Sequence, residues 1–379
     1  MTASEQRPHG THLPERFEMP ENHLDVVVSP GSIDTSRRAS LKTTLIAVVS
    51  MPLFFLLAFT ICYVSASHAP VPHDLALTIG GPASITDPVA EMIDDEAPAA
   101  FDVTQTISAD DAREAVATRE AVGAVVVDGS DVTTVIASGG GALATQVVQT
   151  AGQEIADELG GVNTVEDASP LPADDPGGSV LFFLLVACTV GPFLSITAIS
   201  QVLRTARTRT YVATAAGAAV LVPVIAFSMI SLFVDYGVTF GTVAAVLGVA
   251  MIYAFTVGLL ATFFTKVAGQ GGVLLVILFL VALNFPSAGG TAPESMLPPF
   301  WQVLHQGWLG AGAFEQMRNI LFFAGDGSHR WLMQLLIWTA TAAALVGLVT
   351  ARDRRRSAAG DVGHDADGNS PSVGAAVVG

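Results

Sequence analysis

The chain's most chemically equipped stretch is PPFWQVLHQGWLGAGAFEQMRNILFF, residues 298–323. Glu315 and Arg318 stand three apart there, which puts both on one face of a helix and lets them pair. His305 lies upstream between Trp301 and Trp308. The setting is apolar, so pairing matters: an unpaired Arg or Asp at the centre of a bilayer costs roughly 2.5–3.5 kcal/mol on insertion scales. Catalytic patterns are missing. No G-x-x-x-x-G-K-[ST] phosphate loop occurs, and SGGGA at 138–142 lacks the lysine. Neither a G-x-S-x-G elbow nor an H-E-x-x-H is present. His68 and His73 have no further ligand spacing and read as solvated side chains. The expectation is a non-enzyme with no catalytic residue, no metal and no cofactor.

The surroundings of that stretch decide what it is for. Of the 379 residues, 51% are hydrophobic and 13% charged, against about 25% charged in soluble domains. A membrane-crossing helix needs roughly 20 apolar residues. Six segments qualify, at 43–65, 179–203, 211–234, 238–265, 267–286 and 331–350. The fifth is interrupted by Gly269, Gly271 and Gly272 and stops at Pro286. None of the six holds Asp, Glu, Lys, Arg or His, which weakens a proton- or ion-driven carrier. A polar tail precedes the first segment, so it reads as an uncleaved anchor and not as a signal peptide.

Basic residues set the orientation. With both termini cytoplasmic, 13 of the 17 Lys and Arg fall inside and only Arg113, Arg119, Arg318 and Arg330 outside. Between the first two spans, residues 67–178 carry 20 acidic and 2 basic residues, a net of −18. That argues against nucleic acid as a partner, and the charge reads as a solvated face. Strands are expected at 75–79 and 101–107, a hairpin over 122–138 and a last strand at 163–168. Helices are expected at 108–121, started by Ser108, and at 142–159. No cysteine falls here; Cys62 and Cys188 sit in spans, so no exported disulfide framework is expected.

The predicted fold class is a polytopic α-helical membrane protein. It has six transmembrane helices and a small extracytoplasmic α/β domain between the first and second. Its parts are a polar tail at 1–42, the first helix at 43–65, the exported domain at 67–178, five helices over 179–350 and a second tail at 351–379. Residues 298–323 lie between the fifth and sixth spans. Each half of that segment covers about half a bilayer core at ~1.5 Å per residue. Two placements stay open: a hairpin dipping into the membrane, or an amphipathic anchor lying flat with its tryptophans at the interface.

One span, a large exported α/β domain, then five spans with an aromatic hairpin before the last: this layout resembles an ABC-2 type transporter permease. The segment's proline-aromatic start, small-residue turn, acid and arginine match the stretch before the family's last span at Pro299, Phe300, Trp301, Gly312, Glu315 and Arg318. ASPLPADDPGGSVLFFLL, residues 168–185, is similar to the approach to the second span in the exported-domain branch, related to phage-infection-protein-like membrane proteins. The resemblance covers residues 37–350. It implies a plasma-membrane half-transporter in the lipid bilayer, paired as a homodimer or with another permease. A separate ATP-binding subunit would power it, and the substrate would be hydrophobic or amphiphilic. Arg204, Arg207 and Arg209 are candidate contacts for that subunit, although ordinary positive-inside topology also accounts for them. Their loop, RTARTRT at 204–210, is shorter than the family's usual coupling element. Low lysine with high alanine and arginine points to a bacterial source. The alternative is a non-transporting envelope protein whose exported domain is a receptor or scaffold.

Overall fold

The computed structural model describes residues 32–203, 206–290 and 292–367. The outer parts of both predicted tails, and Arg204, lie outside them. The first helix, α1 (Ser32–Ser67), begins well before the expected start of the span. Its membrane-length part is Val49–Ser67, with Leu53, Leu56, Leu57 and Ile61 exposed. Apolar side chains turned outward suit lipid as solvent.

The sheet domain follows. Its elements are β1 (Leu75–Gly80), α2 (Ala83–Glu96), β2 (Phe101–Thr106), α3 (Ala109–Ala117), β3 (Gly123–Asp128), β4 (Asp131–Ile136), α4 (Ala142–Leu159) and β5 (Asn163–Asp167). Strand order is β2-β1-β3-β4-β5, with only β3–β4 antiparallel. That hairpin closes through Gly129–Ser130, and Gly129 takes the positive φ of 67° that a tight two-residue turn demands. Central β3, GAVVVD, is buried along its first five residues, hence its continuous apolar run. Helix α3 starts where expected: Asp111 N–H donates to Ser108 Oγ at 3.2 Å. Gly160, at φ 68°, ends α4 in the left-handed conformation that stops helices. Helix α2 was not expected. It carries Pro88 inside it and an acidic C-terminal half, and its local propensity is poor. Burial of Val89 and Ile93 against Leu77, Ile79 and Val127 supplies what propensity lacks. On the other face α3 packs Ala112 and Val116 on Ala124, Val126 and Val135.

Beyond the domain come α5 (Val180–Val202), α6 (Thr208–Ile230) and α7 (Phe240–Ala268). Helix α7 is the most enclosed, packing on α5, α6 and the last helix, α12 (Ser328–Asp367). Small residues bring these backbones together: a Cβ on Gly258 would sit 2.7 Å from the Ala215 Cβ. Polar side chains join them as well. Tyr253 Oη on α7 lies 2.6 Å from Thr189 Oγ1 on α5, and Thr256 Oγ1 lies 2.8 Å from Thr339 Oγ1 on α12. Together with α1, five helices are long and apolar enough to cross a membrane, so the chain is a multi-pass membrane protein with a small α/β domain.

The expected fifth span is a shorter, broken piece. A 3₁₀ turn at Gly269–Gly271 leads into α8 (Gly272–Val276), a π-helical stretch at Ile277–Ala282 and α9 (Asn284–Ser287). At ~1.5 Å per residue the apolar helix Gly272–Ser287 is about 24 Å long, short of a core of roughly 30 Å. The glycines hold back its start to Gly272, the π-helical stretch breaks it, and Pro286 falls in its last turn.

Candidate functional site

The opening stretch folds as two helices, α10 (Pro299–Gly307) and α11 (Leu309–Phe322), joined at Trp308 in an extended conformation. Pro299 occupies the first helical position of α10, where its missing N–H costs nothing. Residues Leu309 to Asn319 of α11 are all buried, and the helix packs on α5, α7, α9 and α12. Its small residues permit this. A Cβ on Gly310 would lie 2.5 Å from Asn284 Oδ1, and one on Gly312 would lie 3.2 Å from the Trp331 carbonyl. A helix lying flat among headgroups keeps a polar face exposed; α11 keeps none along those residues.

The pair predicted from spacing forms inside this buried helix. Arg318 donates to Glu315 Oε1 at 2.6 Å, with side chains 6% and 3% exposed. A third member comes from the sheet domain. Arg119, in the turn after α3, donates to Glu315 Oε2 at 2.9 Å and to Asn319 Oδ1. Its backbone is at φ 66°, a left-handed conformation unusual for arginine, and its guanidinium stacks over Phe323. Arg318 also donates to the Gly289 carbonyl at 3.2 Å and lies over Phe314, 4.4 Å from the ring centre. One carboxylate is thus gripped by two guanidiniums, one from each half of the molecule.

His305 is buried against this cluster. Its Nδ1 lies 2.8 Å from the Ser287 carbonyl, and its ring meets Trp331 edge-on. A Cβ on Gly289 would fall 2.9 Å from His305 Cε1 and 3.2 Å from Glu315 Oε1, so only glycine fits between them. Burial pushes the His305 imidazole below its ordinary range, despite the opposing pull of Glu315 and Glu294, and keeps it neutral near pH 7. For Glu315, burial raises the pKa, but the guanidiniums of Arg318 and Arg119 outweigh it and hold the carboxyl ionised.

The tryptophans serve as struts. Trp301 is buried and donates to Ser65 Oγ on α1 at 3.2 Å. Trp308 donates to the Phe279 carbonyl at 3.1 Å, beside the π-helical turn. The far end of the bundle holds the remaining candidates. Arg207 and Arg209 are exposed at the start of α6. Nearby, Lys266 donates to the Ala206 carbonyl at 3.0 Å and lies over Tyr211. These residues do not approach the Glu315 cluster, because α5, α6 and α7 separate the two ends.

Sequence reasoning missed Arg119, Asn319 and Asn284. Arg119 gave one faint signal, being one of two basic residues in a domain with 20 acids. Two more links bind the domain to α11. Ser169 Oγ donates to the Phe322 carbonyl at 2.7 Å, and Phe323 completes the apolar cluster under α3. Among the described residues, no group of three or more His, Cys, Asp or Glu is placed to hold a metal. No family model matches the chain, and neither a curated protein nor a solved structure matches it.

Proposed function

We propose that this chain is the membrane-spanning subunit of an ABC-2 type exporter. It moves a hydrophobic or amphiphilic substrate outward with ATP hydrolysed by a separate subunit. One observation carries this reading: the buried α10–α11 hairpin is tied by Glu315 to the exported domain through Arg119 and to its own helix through Arg318. A passive anchor has no use for a shared buried charge between its two halves, whereas a machine that passes motion between them does. In this reading α8 to α9 form the fifth crossing, broken where it lines the path. Both termini face the cytoplasm of the plasma membrane, and two copies pair. Exposed Arg207 and Arg209 meet the ATP-binding subunit.

Two results follow. The purified chain alone should hydrolyse no ATP, and activity should appear when a copurifying ATP-binding subunit is added. Robust hydrolysis by the isolated chain, after contaminant controls, would defeat the proposal. For orientation, a cysteine at Asp131, in a background lacking Cys62 and Cys188, should react with an impermeant thiol reagent in intact cells. A cysteine at Ala206 should react only after lysis, and its labelling in intact cells would invert the topology.

A further inference from the structure

The charges around Glu315 do not balance. Arg119 and Arg318 bring two positive charges to a single carboxylate. Neutral His305 adds none, and Glu294, 3.8 Å from His305, is partly exposed and bonded to Gln306. Two other carboxylates at the edge of this region are turned toward other groups. Asp175 accepts from the amides of Ser179 and Val180, each at 3.0 Å, and Asp167 accepts from the Ser138 and Ser169 amides and the Ser138 hydroxyl. One positive charge is left over, shared between buried Arg318 and Arg119, whose side chain is 25% exposed.

Beside that surplus lies a cavity of about 60 Å³ between the exported domain and the membrane helices, and Arg318 is its charged wall. Gly139 and Gly141 bound it from the turn before α4, Gly178 from the segment before α5, and Gly289 and Gly290 from the turn after α9. Leu181 closes an apolar side. The glycines leave much of the wall without side chains, Leu143, Leu171 and Phe322 add apolar ones, and the guanidinium is the one charged group on it. At roughly 10–15 Å³ per water, the cavity holds a few waters or one oxyanion group. Arg318 has five N–H donors, and its bonds to Glu315 Oε1 and the Gly289 carbonyl leave donors over.

We propose that this cavity binds one small oxyanion group, a phosphate or a carboxylate, held directly by Arg318. Arg119 occupies part of the Glu315 charge and so frees Arg318 for the ligand. A free anion and an anionic lipid headgroup offer the same chemistry. The charge count holds whether or not the chain transports anything.

The test uses the purified full-length chain. In neutral detergent, inorganic phosphate is titrated through the low millimolar range at constant ionic strength, and the unfolding temperature is read. In parallel, the chain is placed in phosphatidylcholine nanodiscs with and without phosphatidylglycerol. Two variants accompany it. Arg119→Gln removes the surplus charge and keeps the Arg318–Glu315 pair, so it should fold. Ala142→Leu narrows the cavity and leaves every charge in place. The wild type should be stabilised by phosphate, by phosphatidylglycerol, or by both, which identifies the source. Arg119→Gln should weaken that response by roughly tenfold or more, because Glu315 is then left to neutralise Arg318 alone. Ala142→Leu should abolish it. A wild type indifferent to both probes overturns the proposal. Equal stabilisation of wild type and variants also overturns it, because that is a general salt or lipid effect.

Discussion

Glu315→Ala should nearly abolish folded protein in detergent. It strands Arg318 and Arg119 together in a buried site, and removing one partner of a buried pair costs about 3–5 kcal/mol. Arg318→Ala should cost less, because Glu315 keeps Arg119 at 2.9 Å. Arg119→Ala should cost least in stability, since the pair within α11 survives, yet it should loosen the sheet domain. The order is therefore carboxylate first, inner arginine second, outer arginine third. The double variant Glu315→Ala with Arg318→Ala should recover part of the single loss, as coupled neighbours do. Monodisperse yield and thermal unfolding of each variant measure this. Small additive effects of about 0.3–0.5 kcal/mol, the size expected of an exposed pair, would mean that water reaches the cluster.

The second large effect belongs to Gly152. It lies on α4 where that helix crosses β4, and a Cβ there would overlap Thr134 Oγ1. Thr134 is fully buried and hydrogen-bonds Asn163 Oδ1 at 2.7 Å, so it has nowhere to go. Gly152→Val should destabilise the sheet domain by about 1–3 kcal/mol or more, the usual cost of overpacking. Limited proteolysis of the full-length protein should then cut within residues 123–167 at protease levels that spare the wild type. Gly217→Ala on α6, where a Cβ meets open space, is the matched control and should leave the domain's protease resistance unchanged.

The sheet domain was legible because its signals are local. Alternation and β-branching mark β1 and β2, Ser108 marks the start of α3, and α4 has its expected limits at Ala142 and Leu159. Helix α2 escaped because Pro88 and a run of acids mask it, and only the strands beneath make it a helix. Five of the expected spans are helices of membrane length, while the fifth in order is shorter, starts after its glycines and is broken by a π-helical stretch. The site was half legible. A three-residue spacing announces the Arg318–Glu315 pair, since helix geometry alone brings the two together. No local pattern announces Arg119, because its partner lies 196 residues away. Likewise, composition alone could not choose between a flat and an enclosed α11; the close approach of Gly310 and Gly312 to neighbouring helices decides it.

That separation also orders the birth of the molecule. The sheet domain leaves the ribosome long before α11 does, and at about 5–20 residues per second the wait for Glu315 is roughly 10–40 s. During that interval Arg119 has no carboxylate, and the apolar face under α3 lacks Phe323. The domain's sheet can form in that time, but it cannot be finished until the second half of the chain arrives. Insertion of α11 is thus the step that completes the sheet domain, and a chain truncated before residue 309 should display an unfinished, sticky face on that domain.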